Sequence, residues 1–367
     1  MCASKPGQRV MNRRRPFTTQ ARAARGMSLV ELMVGIVVAL LVGLAASGSA
    51  VFFTASQRQA AGSSGAIVGA TTALAAIKEE AAHAGLGFFG DTSYLCSGLN
   101  LSVGGTNFSQ AVFSPLRVAR AANGMDTIDM VFADQVAGGA NVTLKTASNT
   151  TQAELESFMP AVAGHAVLMA PETAGTACTV RSVTQVTAST DATPQILTFG
   201  NVGKHNRVAF AGAVNYAAES RVSLLGALQW SRYRILNGDL VLDRPFDTAN
   251  PTVTLVRNVV AFRVQYGVSA VGASAVTNWV EPDVAPWAAP TPATLARVRA
   301  IRIGLVTRSA NPEKVNGAGN CVASEAQPNV LGFTVAAPAV NGVPWNCFRY
   351  RTATSVVPMR NLVMGLR

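Results

Sequence analysis

Arg25-Gly26-Met27-Ser28-Leu29-Val30-Glu31-Leu32-Met33 opens an apolar run that continues to Ala46. From Met27 the run holds 20 residues and a single charge, Glu31. As a helix it spans about 30 Å, the thickness of a bilayer's hydrocarbon core. Ahead of it, residues 1–26 contain Lys5, Arg9, Arg13, Arg14, Arg15, Arg22 and Arg25 and no Asp or Glu. That flank is held on the cytoplasmic side, so the remainder of the chain is exported. An ordinary secretory signal has a shorter apolar run, followed by a small-residue cleavage site. Here the small residue, Gly26, precedes the run, and a cut after it leaves the helix on the mature chain. A carboxylate inside a membrane helix costs about 2.5–3.5 kcal/mol, so a functional reading of Glu31 is the default. The other reading is a carboxylate close enough to the interface to reach water. In a chain that starts at Met27, Glu31 is the fifth residue, one helical turn from the new α-ammonium. A neighbouring subunit's ammonium can then neutralise it.

This stretch resembles the class III signal of type IV pilins and of the pseudopilins of type II secretion. The pattern is a basic leader, Gly, a hydrophobic first residue, and Glu at the fifth mature position. The resemblance implies cleavage between Gly26 and Met27 by a membrane prepilin peptidase, N-methylation of Met27 and assembly through Glu31. The family's usual first residue is Phe; Met27 stands there in this chain. Three further segments resemble the PilW minor pilin family: Phe262-Arg-Val-Gln-Tyr-Gly-Val268, the strand-like run from Val298 to Ser309, and Tyr350 to Asn361. Leu74 to Gly85 is similar to the stretch that closes the long helix in that family. The family's Arg before Ala-Gly is missing, since the ending here reads Glu80-Ala-Ala-His-Ala-Gly85.

The leader also explains the charge. The whole chain is +11, with 30 Lys+Arg against 19 Asp+Glu. Without the seven leader cations, 23 face 19, a net of +4. Nucleic acid as a partner is therefore not argued for by composition, though a phosphate-binding surface stays open. Charged residues at 13% and hydrophobic residues at 49% exclude a disordered chain.

Past Ala46 the pattern becomes amphipathic, with Leu74, Ile77 and Ala81 at helical spacing and Lys78, Glu79 and Glu80 facing elsewhere. One long helix is predicted from about 28 to 84, strained at Gly62-Ser63-Ser64-Gly65 and stopped by Gly85. Gly35 and Gly43 mark places where it can loosen. From about 90 onward short apolar or alternating runs read as strands: 126–132, 166–169, 195–199, 259–267, 295–308 and 348–358. Asn237-Gly238 between two such runs is a strong hairpin signal. The expected fold class is α+β: a long N-terminal helix, membrane-spanning in its first half, packed on an antiparallel β-sheet globular domain, type IV pilin-like by resemblance. The expected division is a cleaved leader at 1–26, a transmembrane and assembly helix at 27–53, its amphipathic continuation at 54–85, and a β-rich exported domain at 86–367. Residues 90–250 carry no family character and are expected to hold subunit-specific surfaces.

Five cysteines are present, and Cys2 leaves with the leader. The remaining four allow three pairings. Cys96–Cys178 and Cys321–Cys347 are favoured because each joins sequence neighbours within the exported body. The gaps of 82 and 26 residues give about 4.5 and 3.5 kcal/mol in the chain-entropy account. No Cys-x-x-Cys occurs, so zinc and redox readings are weak. Gly85-Leu-Gly87-Phe-Phe-Gly90 has dinucleotide-fingerprint spacing but follows a helix instead of a strand, so turn and packing glycines are the better reading. His83, His165 and His205 are scattered, and Asp126 and Asp129 point to opposite faces of a strand. Arg297, Arg299 and Arg302 are expected to form a solvated face or pair with carboxylates. No active site, cofactor or metal is expected.

The resemblance implies a structural, non-catalytic minor pilin that helps to start type IV pilus assembly and sits at or near the tip. Its partners would be other minor pilins, the major pilin, the prepilin peptidase and the inner-membrane assembly platform. It would be a single-pass inner-membrane protein with a cytoplasmic N-terminus and a periplasmic body, later carried to the pilus surface. The alternatives are a minor pseudopilin of type II secretion, or a tip adhesin or DNA-uptake subunit.

Overall fold

In the computed structural model the described residues are 28–88, 96–133, 141–172, 176–190, 193–210, 215–247, 249–313, 315–316 and 318–361. The leader, Met27 and Gly90 lie outside them. The chain divides into two units, 1–58 and 59–367. One helix, α1 (Leu29–His83), supplies all the described structure of the first unit except Ser28 and begins the second. It runs through Gly35, Gly43 and residues 62–65 without a break.

In the second unit α1 is followed by β1 (Leu99–Asn100), β2 (Ser102–Val103), β3 (Thr106–Asn107), β4 (Leu116–Arg120), β5 (Asp126–Ala133), β6 (Asn141–Thr143) and β7 (Gln152–Leu155). Next come β8 (Ala166–Ala170), β9 (Cys178–Ser182), β10 (Gln185–Thr187), β11 (Gln195–Thr198), β12 (Arg221–Gly226), β13 (Leu228–Leu236) and β14 (Asp239–Asp243). The C-terminal part holds β15 (Thr252–Val256), β16 (Val259–Val268), β17 (Asn278–Val280), α2 (Pro292–Leu295), β18 (Val298–Arg308), β19 (Asn329–Val330), β20 (Phe333–Thr334) and β21 (Tyr350–Pro358). The fold is α+β. Its strands form several sheets, where the sequence suggested one. Nearly all pairings are antiparallel; β1 and β9 run parallel.

Two sheets carry the helix. Their strand orders are β15-β14-β13-β5-β4 and β17-β16-β18-β21. Ala70, Ala73, Leu74, Ile77, Ala81 and Ala84 form a buried stripe along α1 and join the main core. Their spacing of three, four and seven residues is that of one helical face, and the small Ala side chains let the backbone come close. Asn361 donates to the carbonyls of Ala82 and Ala84 at 3.1 and 3.3 Å. These are carbonyls that a helix end leaves without partners. Asn361, beyond the last expected strand at 348–358, thus clamps the helix end.

Gly85 adopts φ +83° past the last turn, and its N–H donates to Val131 O on β5 at 2.9 Å. Gly85 and Gly87 are turn glycines, and no strand precedes them. The two helix-bearing sheets are stitched together by side chains bound to backbone. Tyr266 Oη accepts from Val118 N–H at 2.7 Å, and Asp126 accepts from Val264 N–H at 2.6 Å.

The β1-β9-β8-β12-β6 sheet is buried on both faces. Ala166, Leu168 and Ala170 of β8 belong to the main core, while Val167 and Met169 belong to a second core with Leu144, Leu155, Leu197 and Val222. That is why β8 reads as an unalternated apolar run. At Asn237-Gly238 both residues have positive φ, 53° and 81°, and the tight turn pairs Leu236 with Asp239. β18 begins at Val298, three residues after the Leu295 suggested by pattern, because Pro292–Leu295 is helical under a Thr291 cap.

Candidate functional site

The N-terminal part of α1 begins with a built cap. Glu31 N–H donates to Ser28 Oγ at 3.2 Å, and Leu32 N–H donates to Ser28 O at 3.1 Å. Ser28 and Glu31 have the spacing of a capping box, and a carboxylate in the first turn is favoured by the helix dipole. The Glu31 carboxylate makes no ion pair among the described residues. From Leu29 to Ala50, 22 residues are long and apolar enough to cross a membrane, and none is buried by the chain itself. Leu29, Val30, Leu40, Leu41 and Leu44 are each more than 60% exposed. A helix apolar on every side needs an apolar environment on every side, either lipid or other helices. The cap explains how the helix starts; it does not cover this surface.

The body presents a network of salt bridges. Arg120 bonds Asp126 at 2.8 Å, Glu281 at 2.5 Å and Asp283 at 2.7 Å. Burial pushes the Asp126 carboxyl up, against the pull of the Arg120 guanidinium and the Val264 amide. Asp129 points the other way, to Arg232 at 2.7 Å and Trp230 Nε1 at 2.9 Å. Of the three histidines, His83 and His205 line one cleft of the body. His83 lies beside Phe132 on the helix, and His165 occupies the turn before β8. His205 is buried against Ser102 O at 2.7 Å, and that burial lowers its pKa. Among the described residues no three His, Cys, Asp or Glu side chains gather as a metal site.

The expected role of Arg297, Arg299 and Arg302 needs correction. Arg297 bonds Ser269 O and lies over Trp287, and Arg299 bonds Ala273 O and Ala296 O. Arg302 bonds Gln265 and lies over Trp279, 4.9 Å from the ring centre. Long polar side chains here satisfy loop carbonyls and aromatic faces. Periodicity gave no signal for that, because Ser269, Ala273, Gln265 and Trp279 lie far away in sequence.

Both disulfides close within the body. Cys96–Cys178 has a Cα–Cα distance of 5.7 Å and ties the start of the body to β9. Cys321–Cys347, at 4.7 Å, pins the long segment before β21, where Arg349 also pairs with Glu313. Gly267 and Gly304 lie in the family-like strands for steric reasons. A Cβ on Gly267 would meet the Trp279 ring at 2.8 Å, and one on Gly304 would meet Val330 Cγ2 at 2.2 Å. Trp279 and the β19–β20 hairpin lie flat on the sheet only because those side chains are missing.

An exposed apolar helix runs into an α+β body closed by antiparallel strands. Residues 240–361, a third of the chain, match the family described as PilW: Type IV Pilus-assembly protein W. That segment contains all three strand stretches on which the resemblance to the family was read. Among solved structures the chain is similar to the type IV-like pilin TTHA1219 from Thermus thermophilus. The identity is 15%, with 55% of this chain and 87% of that chain covered and a TM-score of 0.21. No curated protein matches the chain.

Proposed function

We propose that this chain is a structural, non-catalytic minor pilin of PilW type. It is made with leader 1–26, cut between Gly26 and Met27, methylated at Met27, and held in the inner membrane by residues 27–53. The amphipathic stretch 54–85 and the body 86–367 are then periplasmic. The chain joins other minor pilins and the major pilin on the assembly platform, helps to start the fibre, and stays at or near its tip. The observation that carries this reading is the uncovered apolar span with one carboxylate in its first turn. The family match over 240–361 supports it independently, from the other end of the chain.

The mechanism is association of helices. Apolar faces pack side by side, and Glu31 answers the α-ammonium of a neighbour whose own Met27 is freed by cleavage. Unpaired, that carboxylate opposes transfer into apolar surroundings by about 2.5–3.5 kcal/mol. Pairing offsets much of that cost and fixes the axial register. Glu31→Ala should therefore leave processing intact and abolish incorporation into fibres, while Gly26→Val should block processing. Normal fibre incorporation of Glu31→Ala and normal cleavage of Gly26→Val would sink the proposal.

A further inference from the structure

Arg181 is a buried cation without a counter-charge. It stands on β9 directly opposite Val167 of β8, so it shares the face that Val167 turns to the second core. The residue is 7% exposed, and among the described residues no other Lys or Arg is so deeply buried. Arg120, Arg232, Arg234 and Arg349 each bond a carboxylate. Arg297 and Arg299 bond backbone carbonyls. The Arg181 guanidinium meets no hydrogen-bond acceptor among the described residues and lies over the Phe210 ring, 5.8 Å from its centre.

The surroundings hold this arrangement in place. Asn206, itself buried, fastens the segment before Phe210 to β9. Its Oδ1 accepts from Ser182 N–H at 2.9 Å, and its Nδ2 donates to Ser182 O at 2.7 Å and to Gly200 O at 2.9 Å. Thr179 lies two residues before Arg181, on the same face of β9, and Tyr216 Oη donates to its Oγ1 at 2.7 Å. Burial pushes the Tyr216 phenol up to about 12, so this neighbour is neutral and supplies no charge. The sealed, partnerless polar atoms of the described residues are Gln110 Oε1 and His165 Nδ1. The Arg181 nitrogens are not among them, so an entry from solvent remains.

A buried Lys can shed its proton, but a guanidinium cannot, so the loss of hydration at Arg181 is permanent. Burial lowers the Arg181 pKa, and no carboxylate raises it again. At Arg120 the same loss is outweighed by the bonds to Asp126 and Glu281, which hold its pKa above the ordinary value. A desolvated charge with no partner is strongly unfavourable, and an anion at the open fork relieves it. One guanidinium among neutral neighbours balances one negative charge, and its planar fork fits a carboxylate through two parallel hydrogen bonds. A phosphate dianion would leave a charge uncompensated. We propose that Arg181, beneath Phe210, binds a monovalent carboxylate, carried by a small molecule or by an acidic side chain of another polypeptide. The site lies outside residues 240–361 and does not rest on the pilin reading.

The test uses the full chain in uncharged detergent micelles and a buffer without carboxylates. Acetate should raise the unfolding temperature saturably, and chloride at equal ionic strength should not. Arg181→Met puts an apolar side chain in place of an unpaired buried charge. It should leave the acetate-free unfolding temperature unchanged or higher and remove the response to acetate. Arg181→Lys keeps the charge without the fork and should weaken acetate binding by roughly tenfold. The Arg181 Nε–H resonance of the unsubstituted chain should move with the same acetate dependence. A Gly-Glu-Gly peptide with both ends blocked compares the two sources. Tighter binding than acetate assigns the site to a polypeptide side chain, weaker binding assigns it to a free carboxylate, and either upholds it. An equal response to chloride or sulfate would mean an adventitious ion only and overturn the proposal. So would an Arg181 resonance that stays fixed throughout the titration. A lowered unfolding temperature of Arg181→Met without acetate would overturn it too, since the guanidinium would then already have a partner.

Discussion

Leu29–Ala50 and Ala70–Ala84 differ in one respect that decides their fates. The first has Leu, Val, Ile and Met on all sides, and all of it is exposed. The second has one apolar stripe, built mostly from Ala, opposite Lys78 and Glu79, and that stripe is buried under two sheets. An amphipathic helix can be satisfied by its own chain; a helix apolar all round cannot. The difference between the stretches therefore separates folding from assembly within one continuous run of hydrogen bonds.

Substitutions in the two stretches should have separable effects. The largest loss of function should come from a charge in the uncovered span. Val37→Lys adds about 2.5–3.5 kcal/mol to insertion at mid-bilayer depth. It should remove the chain from membranes and fibres while the thermal unfolding of the body stays unchanged. Ile77→Ala, at a fully buried position, should do the reverse. It costs the body about 2–5 kcal/mol, read as a lowered unfolding temperature, with cleavage at the leader preserved. If Val37→Lys unfolded the body as strongly as Ile77→Ala, the comparison would fail.

A smaller effect is expected away from the helix. Gly304→Ala should cost about 1–3 kcal/mol by forcing Val330 and Leu331 off the sheet. The readout is faster proteolysis in the 329–334 hairpin. The smallest effect is on pH dependence. His205 is buried, and its pKa is lowered by that burial. The unfolded chain thus binds the extra proton first, near pH 6.5. Stability contributed by the neutral ring is present above that pH. It is lost as pH falls below it, by at most about 1.4 kcal/mol per pH unit. His205→Asn should flatten the slope of unfolding free energy between pH 6.5 and 5.

The same contrast explains what the sequence could tell. The helix, its Gly85 stop, the Asn237-Gly238 hairpin and the two cysteine pairs are legible because each is set by local spacing or by a short count. The Arg120–Asp126–Val264 tie, the Tyr266–Val118 bond and the Asn361 clamp join residues far apart in the chain, and no local pattern announces them. The second core, around Leu144, Leu155 and Leu197, stayed hidden for a related reason. Val167, Met169 and Val222 reach it from a sheet buried on both faces, where the period-two signal that marks a half-exposed strand is lost. For the assembly segment the balance is different. Gly26 and Met27 rest on the sequence pattern, and the structure adds only that Glu31 lies in the first turn of a capped, uncovered helix.

The central claim, that the span Leu29–Ala50 is retained for assembly and not removed with a signal, is tested most directly by the N-terminus of the chain isolated from cells. Sequencing and mass measurement should find N-methylated Met27 as the first residue. A chain that still begins in residues 1–26, or one cut after the apolar span, would contradict the account.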